Sequence, residues 1–202
     1  MPADLHVLVL AAGASTRLGQ PKQLVRLGGR PALHMVVSTA VAVAGPAVTV
    51  VVGAHARDLS YLLAQTASSV VVNRHWEEGM GSSLRVGVKS LPPGCEAVLV
   101  LLGDQVAVTS DDLKRLISGY YGQEGSVAAA TYERHVGVPA IFPRSCFSDL
   151  AALRGDEGAR AIIQRNQSRL VRVPMPNAAV DLDTPEDLAA LTERFRVGED
   201  KT

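Results

Sequence analysis

The sequence is poor in cysteine and in aromatic residues. Two cysteines, Cys95 and Cys146, occur among 202 residues. That is too few for a disulfide framework or a cysteine-rich metal cluster, and it is typical of a reducing, cytoplasmic environment. Aromatic side chains make up 4% of the chain, against 47% for all apolar residues. The apolar residues are chiefly Ala, Val and Leu, which is typical of parallel strands that helices cover on both faces.

The chain also lacks a charge excess, and no export signal is expected. Its 20 Lys and Arg residues balance 20 Asp and Glu residues, so neither nucleic acid nor a membrane is an expected partner. The apolar stretch that begins at Leu5 follows Asp4 and no Lys or Arg, which is the wrong charge for a signal peptide. Residues 32–54 are apolar, but Gly45-Pro46 divides them and a β-branched run follows. This pattern predicts helix, turn and strand instead of a membrane span.

Acidic residues are missing between Asp4 and Asp58, although five basic residues lie there. Two of the five, Arg17 and Lys22, belong to a segment that contains glycines, and for these two we favour a binding site for a small anion. The other three are interpreted as solvated surface charges: Arg26, Arg30 and Arg57.

Along most of the chain, strand-like apolar runs alternate with helical segments. This alternation predicts βαβ units and a mostly parallel sheet. The expected strands are Leu5–Ala11, Val48–Val52, Ser69–Asn73 and Ala97–Leu102. The expected helices are Ala32–Ala44, Arg57–Gln65, Ser82–Leu91 and Ser110–Tyr121.

The pattern changes after residue 125. Two strand-like runs, Ser126–Tyr132 and Val136–Phe142, flank a short polar connection, which predicts a β-hairpin insertion. We therefore predict one α/β domain over residues 1–202, with a three-layer, mostly parallel Rossmann-like sheet flanked by helices and a small β-hairpin insertion. The remaining expected elements are helices near Cys146–Leu153 and Gly158–Arg165, a strand at Arg169–Val173 and a last helix with Thr184 as its N-cap.

The first strand leads into a loop of small residues. In open α/β sheets, ligands lie beyond the carboxyl ends of the strands, and small residues let backbone N–H groups approach a phosphate closely. Arg17 adds a guanidinium fork and Lys22 a mobile point charge. Neither G-x-x-x-x-G-K-[ST] nor G-x-G-x-x-G fits this loop, so an ordinary loop with a solvated Arg and Lys remains the alternative. The candidate phosphate-binding residues are Leu10, Ala11, Ala12, Gly13, Ala14, Ser15, Thr16, Arg17 and Lys22.

Aspartates at two places could ligate a metal ion. Asp104 ends the buried strand at 97–102, and a hard cation such as Mg²⁺ takes one or two carboxylates together with substrate phosphates. Asp181 and Asp183 form a D-x-D pair whose side chains share one face if the segment is extended. The alternatives are that Asp104 caps a turn and that Asp183 belongs to a helix-start signal.

Two glycine-bearing segments are further candidates. In the segment Gly79-Met-Gly-Ser-Ser83, the residues Gly81, Ser82 and Ser83 could receive a base or a ribose, or the segment could be a flexible loop with Ser as N-cap. The segment Gly155–Arg160 is interpreted first as a turn with a helix cap and second as an acceptor-binding element. No serine lies in G-x-S-x-G and the five histidines show no metal spacing, so nothing indicates nucleophilic catalysis.

Taken together, these segments resemble the nucleotidyltransferases that act on molybdenum cofactor. L-A-A-G-A-S-T-R-L-G-Q-P-K-Q-L, at residues 10–24, matches the nucleotide-binding signature of that family at nearly every position, and the similarity extends from about Val7 to Leu191. The G-M-G-S-S and G-D-x-G-A-R segments are similar to the cytidylyltransferase branch. L-A-A-G, where guanylyltransferases tend to have L-A-G-G, also favours CTP. The other matching motifs are Glu78–Leu84, Gly103–Gln105, Gly155–Arg160 and Asp181–Asp187.

The resemblance implies a fold like that of nucleotide-diphospho-sugar transferases and a reaction on it. CMP would pass from CTP, or GMP from GTP, to the terminal phosphate of a phosphorylated pterin, with release of pyrophosphate. Lys22 and Arg17 would neutralise the triphosphate, while Mg²⁺, or Mn²⁺ in its place, would bind Asp104 and Asp183, with Asp183 favoured over Asp181. Residues 1–105 would then bind the nucleotide and residues 106–196 the acceptor. A molybdoenzyme or its chaperone would be the protein partner.

The resemblance also leaves alternatives and one departure. Related proteins with the same signature include a nicotinamide-dependent pigment reductase, and a non-catalytic binding or chaperone-like relative is a further alternative. The absence of G-x-G-x-x-G argues against the reductase, whereas the presence of Lys22 and Asp104 argues against a non-catalytic protein. The family often has D-Q-P after the metal-binding aspartate, and here Val106 replaces the proline. This loses a rigid turn but no ligand.

Overall fold

The computed structural model of the chain describes residues 5–123 and 125–196. The ends of the predicted domain, residues 1–4 and 197–202, lie outside the described residues, as does residue 124. The strands are β1 (Leu5–Ala11), β2 (Arg26–Leu27), β3 (Arg30–Pro31), β4 (Val48–Val52), β5 (Ser69–Val72), β6 (Ala97–Leu102), β7 (Val127–Tyr132), β8 (His135–Pro143) and β9 (Leu170–Pro174).

Seven α-helices accompany the strands within the described ranges. They are α1 (Ala32–Ala44), α2 (Ala56–Leu63), α3 (Met80–Lys89), α4 (Ser110–Tyr121), α5 (Phe147–Ala152), α6 (Arg160–Arg165) and α7 (Pro185–Arg196). Short 3₁₀ helices lie at Lys22–Leu24, Trp76–Glu78, Arg144–Cys146, Gln167–Arg169 and Pro176–Ala179.

Seven strands form one sheet in the order β5-β4-β1-β6-β8-β7-β9. Strands β5, β4, β1 and β6 are parallel neighbours, β8 is antiparallel to both β6 and β7, and β9 is parallel to β7. Only β8 is therefore reversed, so the carboxyl ends of the other six strands lie at one edge. This mostly parallel sheet confirms the predicted fold class, and the predicted hairpin is β7–β8, which is part of the main sheet. The separate β2–β3 hairpin was not predicted.

The sheet separates two apolar cores, as its alternating side chains require. On β1, Val7 and Val9 face the core that also receives α1, α2, α4 and α7. Leu8 and Leu10 face the opposite core, with α3, α5 and α6. These three layers explain why β1, β4 and β6 are almost wholly buried apolar runs. For the residues described, no helix meets the length and hydropathy required of a membrane span.

Candidate active site

The loop that follows β1 is held on both sides by its neighbouring strands. Gly103, just past β6, donates its backbone N–H to Leu10 O at 2.9 Å, and Ala54, just past β4, donates to Ala12 O at 3.0 Å. A side chain at Gly103 would place its Cβ 3.0 Å from the Ala11 Cβ, so the small residue permits this close approach. The loop therefore starts from a fixed position at the carboxyl edge of the sheet.

Gln23, to which the sequence analysis gave no role, supports this loop from below. Its side chain is 1% exposed, and its Nε2 donates to Gly13 O at 2.9 Å and to Ala11 O at 3.3 Å. Its Oε1 accepts from Ser15 Oγ at 3.2 Å, while Ser15 Oγ accepts from Lys22 N at 3.1 Å. Ser15 itself has a φ of +58°. A single buried amide thus shapes the loop and ties it to Lys22, the charged residue beside it.

Four charged side chains from distant parts of the chain meet beside the loop. Lys22 Nζ donates to Asp104 Oδ2 at 2.5 Å and to Asp183 Oδ1 at 2.6 Å. Arg17 Nη2 donates to Asp183 Oδ2 at 2.9 Å. The Lys22 side chain is 16% exposed, whereas the Arg17 side chain is 72% exposed. The structure thus gathers the predicted cations Lys22 and Arg17 around two of the three predicted metal-binding carboxylates.

The third carboxylate, that of Asp181, belongs to the same cluster. Burial, and then the charges of Asp104 and Asp183, raise the pKa of Asp181 to about 7. Burial alone would lower the pKa of the Lys22 ammonium, but the attraction of Asp104 and Asp183 and the hydrogen bonds to them outweigh it and raise that pKa. Lys22 therefore carries a full positive charge among the carboxylates at neutral pH.

Backbone contacts fix the position of the carboxylates. Leu182, between the two aspartates of the D-x-D pair, donates its N–H to Asp104 O at 3.3 Å, and Val106 N donates to the same oxygen at 2.8 Å. The Val106 bond uses an N–H group that proline lacks. Asp187 Oδ2 accepts from the backbone N–H groups of Asp183 and Thr184 at 3.1 and 2.8 Å, and Thr184 Oγ1 in turn accepts from Asp187 N at 3.2 Å. The start of α7 thus holds Asp183 next to Asp104.

The free oxygens of this cluster suit a divalent cation. Asp104 Oδ1 and Asp181 Oδ1 are buried and accept no hydrogen bond from the described residues, and a buried acceptor without a partner is costly. Mg²⁺ and similar hard cations prefer such oxygens. Within residues 5–123 and 125–196, no group of three or more His, Cys, Asp and Glu side chains could hold a metal ion by itself.

The loop after β1 and two members of the ionic cluster, Lys22 and Asp104, border a cleft of about 420 Å³, which we call the polar cleft. Of the segment at 79–83, Gly79, Met80 and Ser83 line it, whereas Ser82 lies behind its wall. Ser82 Oγ donates to His75 O and Gly79 O at 2.9 and 2.8 Å and accepts from the buried Asn73 amide at 2.7 Å. The other residues lining the polar cleft are Leu10, Ala11, Ala12, Gly13, Ala14, Thr16, Lys22, Gln23, Trp76, Glu77, Leu102, Gly103, Asp104 and Asp156.

Gly81 likewise serves a structural contact. It donates its N–H to Gly155 O at 2.9 Å, and a Cβ at Gly79 would lie 2.4 Å from the same carbonyl oxygen. Since Gly79 also has a φ of +98°, only glycine suits this position. The segment at 79–83 begins α3, with Gly79 and not Ser as the N-cap. It therefore contacts the segment at 155–160, although the two were interpreted separately in the sequence.

A second cavity of about 340 Å³ adjoins the polar cleft, and we call it the apolar cavity. The two share the side chains of Leu10, Met80 and Leu102. Arg160 is a charged member of its wall, and the Tyr132 and His135 rings lie 6.4 Å apart there. The remaining wall is formed by Val100, Val136, Gly137, Val138, Gly158 and Ala159.

Known proteins resemble this chain in sequence and in structure. The purine catabolism protein PucB of Bacillus subtilis strain 168 is 30% identical over 189 residues, which cover 88% of this chain and 91% of PucB. Nicotine blue oxidoreductase of Paenarthrobacter nicotinovorans is 27% identical over 195 residues, which cover 91% of this chain and 94% of that protein.

Among solved structures, Rv0371c of Mycobacterium tuberculosis H37Rv superposes with a TM-score of 0.83 at 29% identity, over 96% of this chain and 99% of that one. A crystal structure of the same protein in complex with manganese gives a TM-score of 0.79 at 27% identity, over 95% of this chain and 99% of that one. That neighbour is thus a complex with a divalent metal ion.

The family model described as the MobA-like NTP transferase domain matches residues 7–171. The match covers the loop after β1, β6 with Asp104, and both cavities, and it stops before the D-x-D pair. Together with the shared fold, it establishes that the chain belongs to the MobA-like nucleotidyltransferase family.

Proposed function

We propose that the chain is an Mg²⁺-dependent cytidylyltransferase that transfers CMP from CTP to the terminal phosphate of molybdopterin or molybdenum cofactor. The observation that carries the proposal is the cluster of Lys22, Asp104 and Asp183 beside the loop at 10–16. It combines a cation for phosphate with carboxylates for a metal ion at one point of the sheet edge. Nucleotidyl transfer needs both, because all of its reactants are anions.

The proposed step exchanges one P–O bond for another. An oxygen of the acceptor phosphate forms a bond to the α-phosphorus of CTP, and the bond from that phosphorus to the β-phosphate oxygen breaks, so pyrophosphate leaves. A phosphate monoester is already ionised at neutral pH, so no general base is required. The barrier is then one of repulsion and positioning, which Lys22 and Arg17 lower by pairing with the triphosphate oxygens.

Asp104 and Asp183 would hold the metal ion, with Asp181 as the third carboxylate of the cluster. Bound Mg²⁺, for which Mn²⁺ can substitute, would supply charge neutralisation at the α-phosphate and the acceptor oxygen. Lys22 pairs with both carboxylates, so neutralising them in another way frees its ammonium for the triphosphate. The manganese complex of Rv0371C supports a divalent ion in this role.

The two cavities support different binding roles for the two halves of the chain. In this proposal residues 1–105 bind the nucleotide in the polar cleft. Ser83, with Gly81 and Ser82 behind it, shapes the part of the cleft that receives the base. Residues 106–196 supply Arg160 and most of the polar wall of the apolar cavity, which would receive the pterin. We place the reaction in the cytoplasm, in line with two free and buried cysteines, and expect a molybdoenzyme or its chaperone to take the product.

Two alternatives rest on the relatives. A guanylyltransferase, or a transferase to another phosphorylated acceptor, would use the same cluster. A reductase that uses NADH or NADPH is favoured by the similarity to nicotine blue oxidoreductase over 94% of that protein. Against it stands the loop at 10–19, which lacks the G-x-G-x-x-G pattern of dinucleotide sites.

One experiment separates these functions. Purified protein is incubated with Mg²⁺, molybdopterin and each nucleoside triphosphate in turn, and pyrophosphate release is measured, with EDTA as the metal-free control. We expect release with CTP and none after chelation. Release with GTP alone would identify GTP, and not CTP, as the donor. No release with any triphosphate would refute nucleotidyl transfer. Oxidation of NADH or NADPH with a pigment acceptor, measured by absorbance, would favour the reductase.

A further inference from the structure

The end of the polar cleft opposite the ionic cluster lies beyond β4 and β5. Asp104 follows β6, the loop follows β1, Gly53 follows β4 and Trp76 lies after β5, and these strands are consecutive in the sheet. Neighbouring strands lie about 4.8 Å apart, so β6 and β5 are separated by roughly 14 Å. Residues that line the cleft past β5 are therefore remote from the phosphate-binding cluster and close to where the base of a bound nucleotide must lie.

Trp76 can lie at this end of the cleft because Gly53 has no side chain. A Cβ at Gly53 would lie 2.7 Å from the Trp76 Cβ and 2.6 Å from Ala12 O, so glycine lets the turn at 76–78 close on the loop. The turn is also anchored from within, since Asn73 Oδ1 accepts from His75 N at 2.9 Å. Trp76, the single tryptophan of the chain, thus lines the cleft from a rigid support.

The polar side chains next to Trp76 in the cleft wall are hydrogen-bond acceptors. Glu77 follows it directly, and Asp156 lies against Gly79, where its Oδ1 is 2.6 Å from the position of a Cβ on that glycine. Ionised carboxylates accept hydrogen bonds and donate none. An exocyclic amine on the base meets partners here, whereas a carbonyl oxygen in the same place does not.

From this arrangement we propose that Trp76 is the stacking platform for the base of the donor nucleotide, and that this end of the cleft prefers bases with an exocyclic amine. The proposal rests on the nucleotide-donor function above and adds the residue that contacts the base. Base–aromatic stacking tolerates any base because every base has a π-face. The preference for an amine therefore comes from the carboxylates and not from the ring.

The fluorescence of Trp76 can report on nucleotide binding, because no other tryptophan contributes to the emission. CTP is titrated into wild-type protein with Mg²⁺ and no acceptor, and tryptophan fluorescence is compared with binding measured by equilibrium dialysis. We expect quenching that follows the dialysis isotherm. Binding by dialysis without a change in emission would overturn the inference and leave the proposed function intact, whereas no binding of any triphosphate would overturn both.

Variants test the size of the contribution. Trp76→Ala should raise the Kd for CTP roughly 5- to 150-fold, and Trp76→Phe should retain most of the affinity. Tyr61→Ala, which removes an aromatic ring that is 87% exposed on α2, is the matched control. An unchanged Kd in Trp76→Ala would refute the platform, and a loss in the folded Trp76→Phe variant as large as in Trp76→Ala would refute stacking as its mechanism.

CTP and UTP test the amine preference. Uracil carries an oxygen at the position where cytosine carries its exocyclic amine. Wild-type protein should bind CTP roughly fivefold or more tightly than UTP. Asp156→Asn should narrow that ratio, since an amide also donates a hydrogen bond. Equal wild-type affinities, or an unaltered ratio in both Asp156→Asn and Glu77→Gln, would overturn the preference.

Discussion

The polar cleft and the apolar cavity share Leu10, Met80 and Leu102 but differ in chemistry. The polar cleft ends in a cluster where Lys22 pairs with two carboxylates. The apolar cavity is walled by aliphatic and aromatic side chains with Arg160 as a charged member. In the proposed function, the polar cleft would bind phosphate by charge and the apolar cavity would recognise the body of the acceptor by shape. The transferred phosphate would then lie at the boundary between them.

The largest expected effect tests the charged side of this comparison. Asp104→Ala should lower the rate of pyrophosphate release roughly 100-fold or more, because it removes a carboxylate proposed to hold the metal ion. Asp111→Asn is the control, since it changes an exposed aspartate paired with Lys114 on the first turn of α4. A folded Asp104→Ala variant with the wild-type rate would contradict the role.

The two aspartates of the D-x-D pair allow a sharper test. Asp183→Asn should raise the Mg²⁺ concentration for half-maximal activity about tenfold. Asp181→Asn should raise it less, because the proposed function assigns the metal ion to Asp104 and Asp183. Metal titrations of activity measure both. The reverse order would assign the ligand to Asp181.

A smaller effect is expected on the apolar side. Arg160→Gln should raise the KM for the phosphorylated acceptor about fivefold and leave the Kd for CTP unchanged, since an exposed charge contributes modestly. Arg165→Gln, at the other end of α6, is the matched control. If Arg160→Gln weakened CTP binding instead, the apolar cavity would contribute to nucleotide binding, and the separate roles proposed for the two cavities would be wrong.

The smallest effect on the reaction is expected away from both cavities, where a substitution should act on stability. Burial alone would raise the pKa of Asp112, but hydrogen bonds from Asn177, Thr109 and Arg115 outweigh it and lower that pKa. Asp112→Asn should therefore cost about 1–3 kcal/mol of unfolding free energy at pH 7, with little change in rate.

Urea unfolding at several pH values checks the sign of this effect. A lowered folded-state pKa contributes stability above the unfolded value of about 3.9 and loses it as the pH falls through the folded value. The difference between wild type and Asp112→Asn should accordingly shrink below pH 4. A difference that grows on acidification would contradict the hydrogen-bond network as its source.

Much of the fold could be predicted from the sequence because its signals are local. The predicted bounds of β1, α1, β4, β6 and α4 coincide with those of the structure, since buried apolar runs, the Gly45-Pro46 break and the acidic helix start each act within a few residues. The β2–β3 hairpin was missed because each of its strands has two residues, which is too short for a pattern.

The site was predictable only in part, because its contacts are distant in sequence. Lys22 lies 82 residues from Asp104 and 161 from Asp183, and the motif resemblance, not spacing, placed them in one site. The ionic pairing of Lys22 with both carboxylates was not foreseen. Gln23 received no role and Asn73 was predicted to end a strand, yet both are buried amides that shape the cleft. Nothing local distinguishes a polar residue that will be enclosed by a loop of its own fold.

The contact between Gly79 and Gly155 has a consequence for engineering. The backbone of one loop fills the space that a side chain on the other would need. Grafting residues 155–160 from a homologue with a different acceptor into this chain should therefore succeed only if residues 79–83 are transplanted with them. The two segments must be exchanged together, although about 70 residues separate them along the chain.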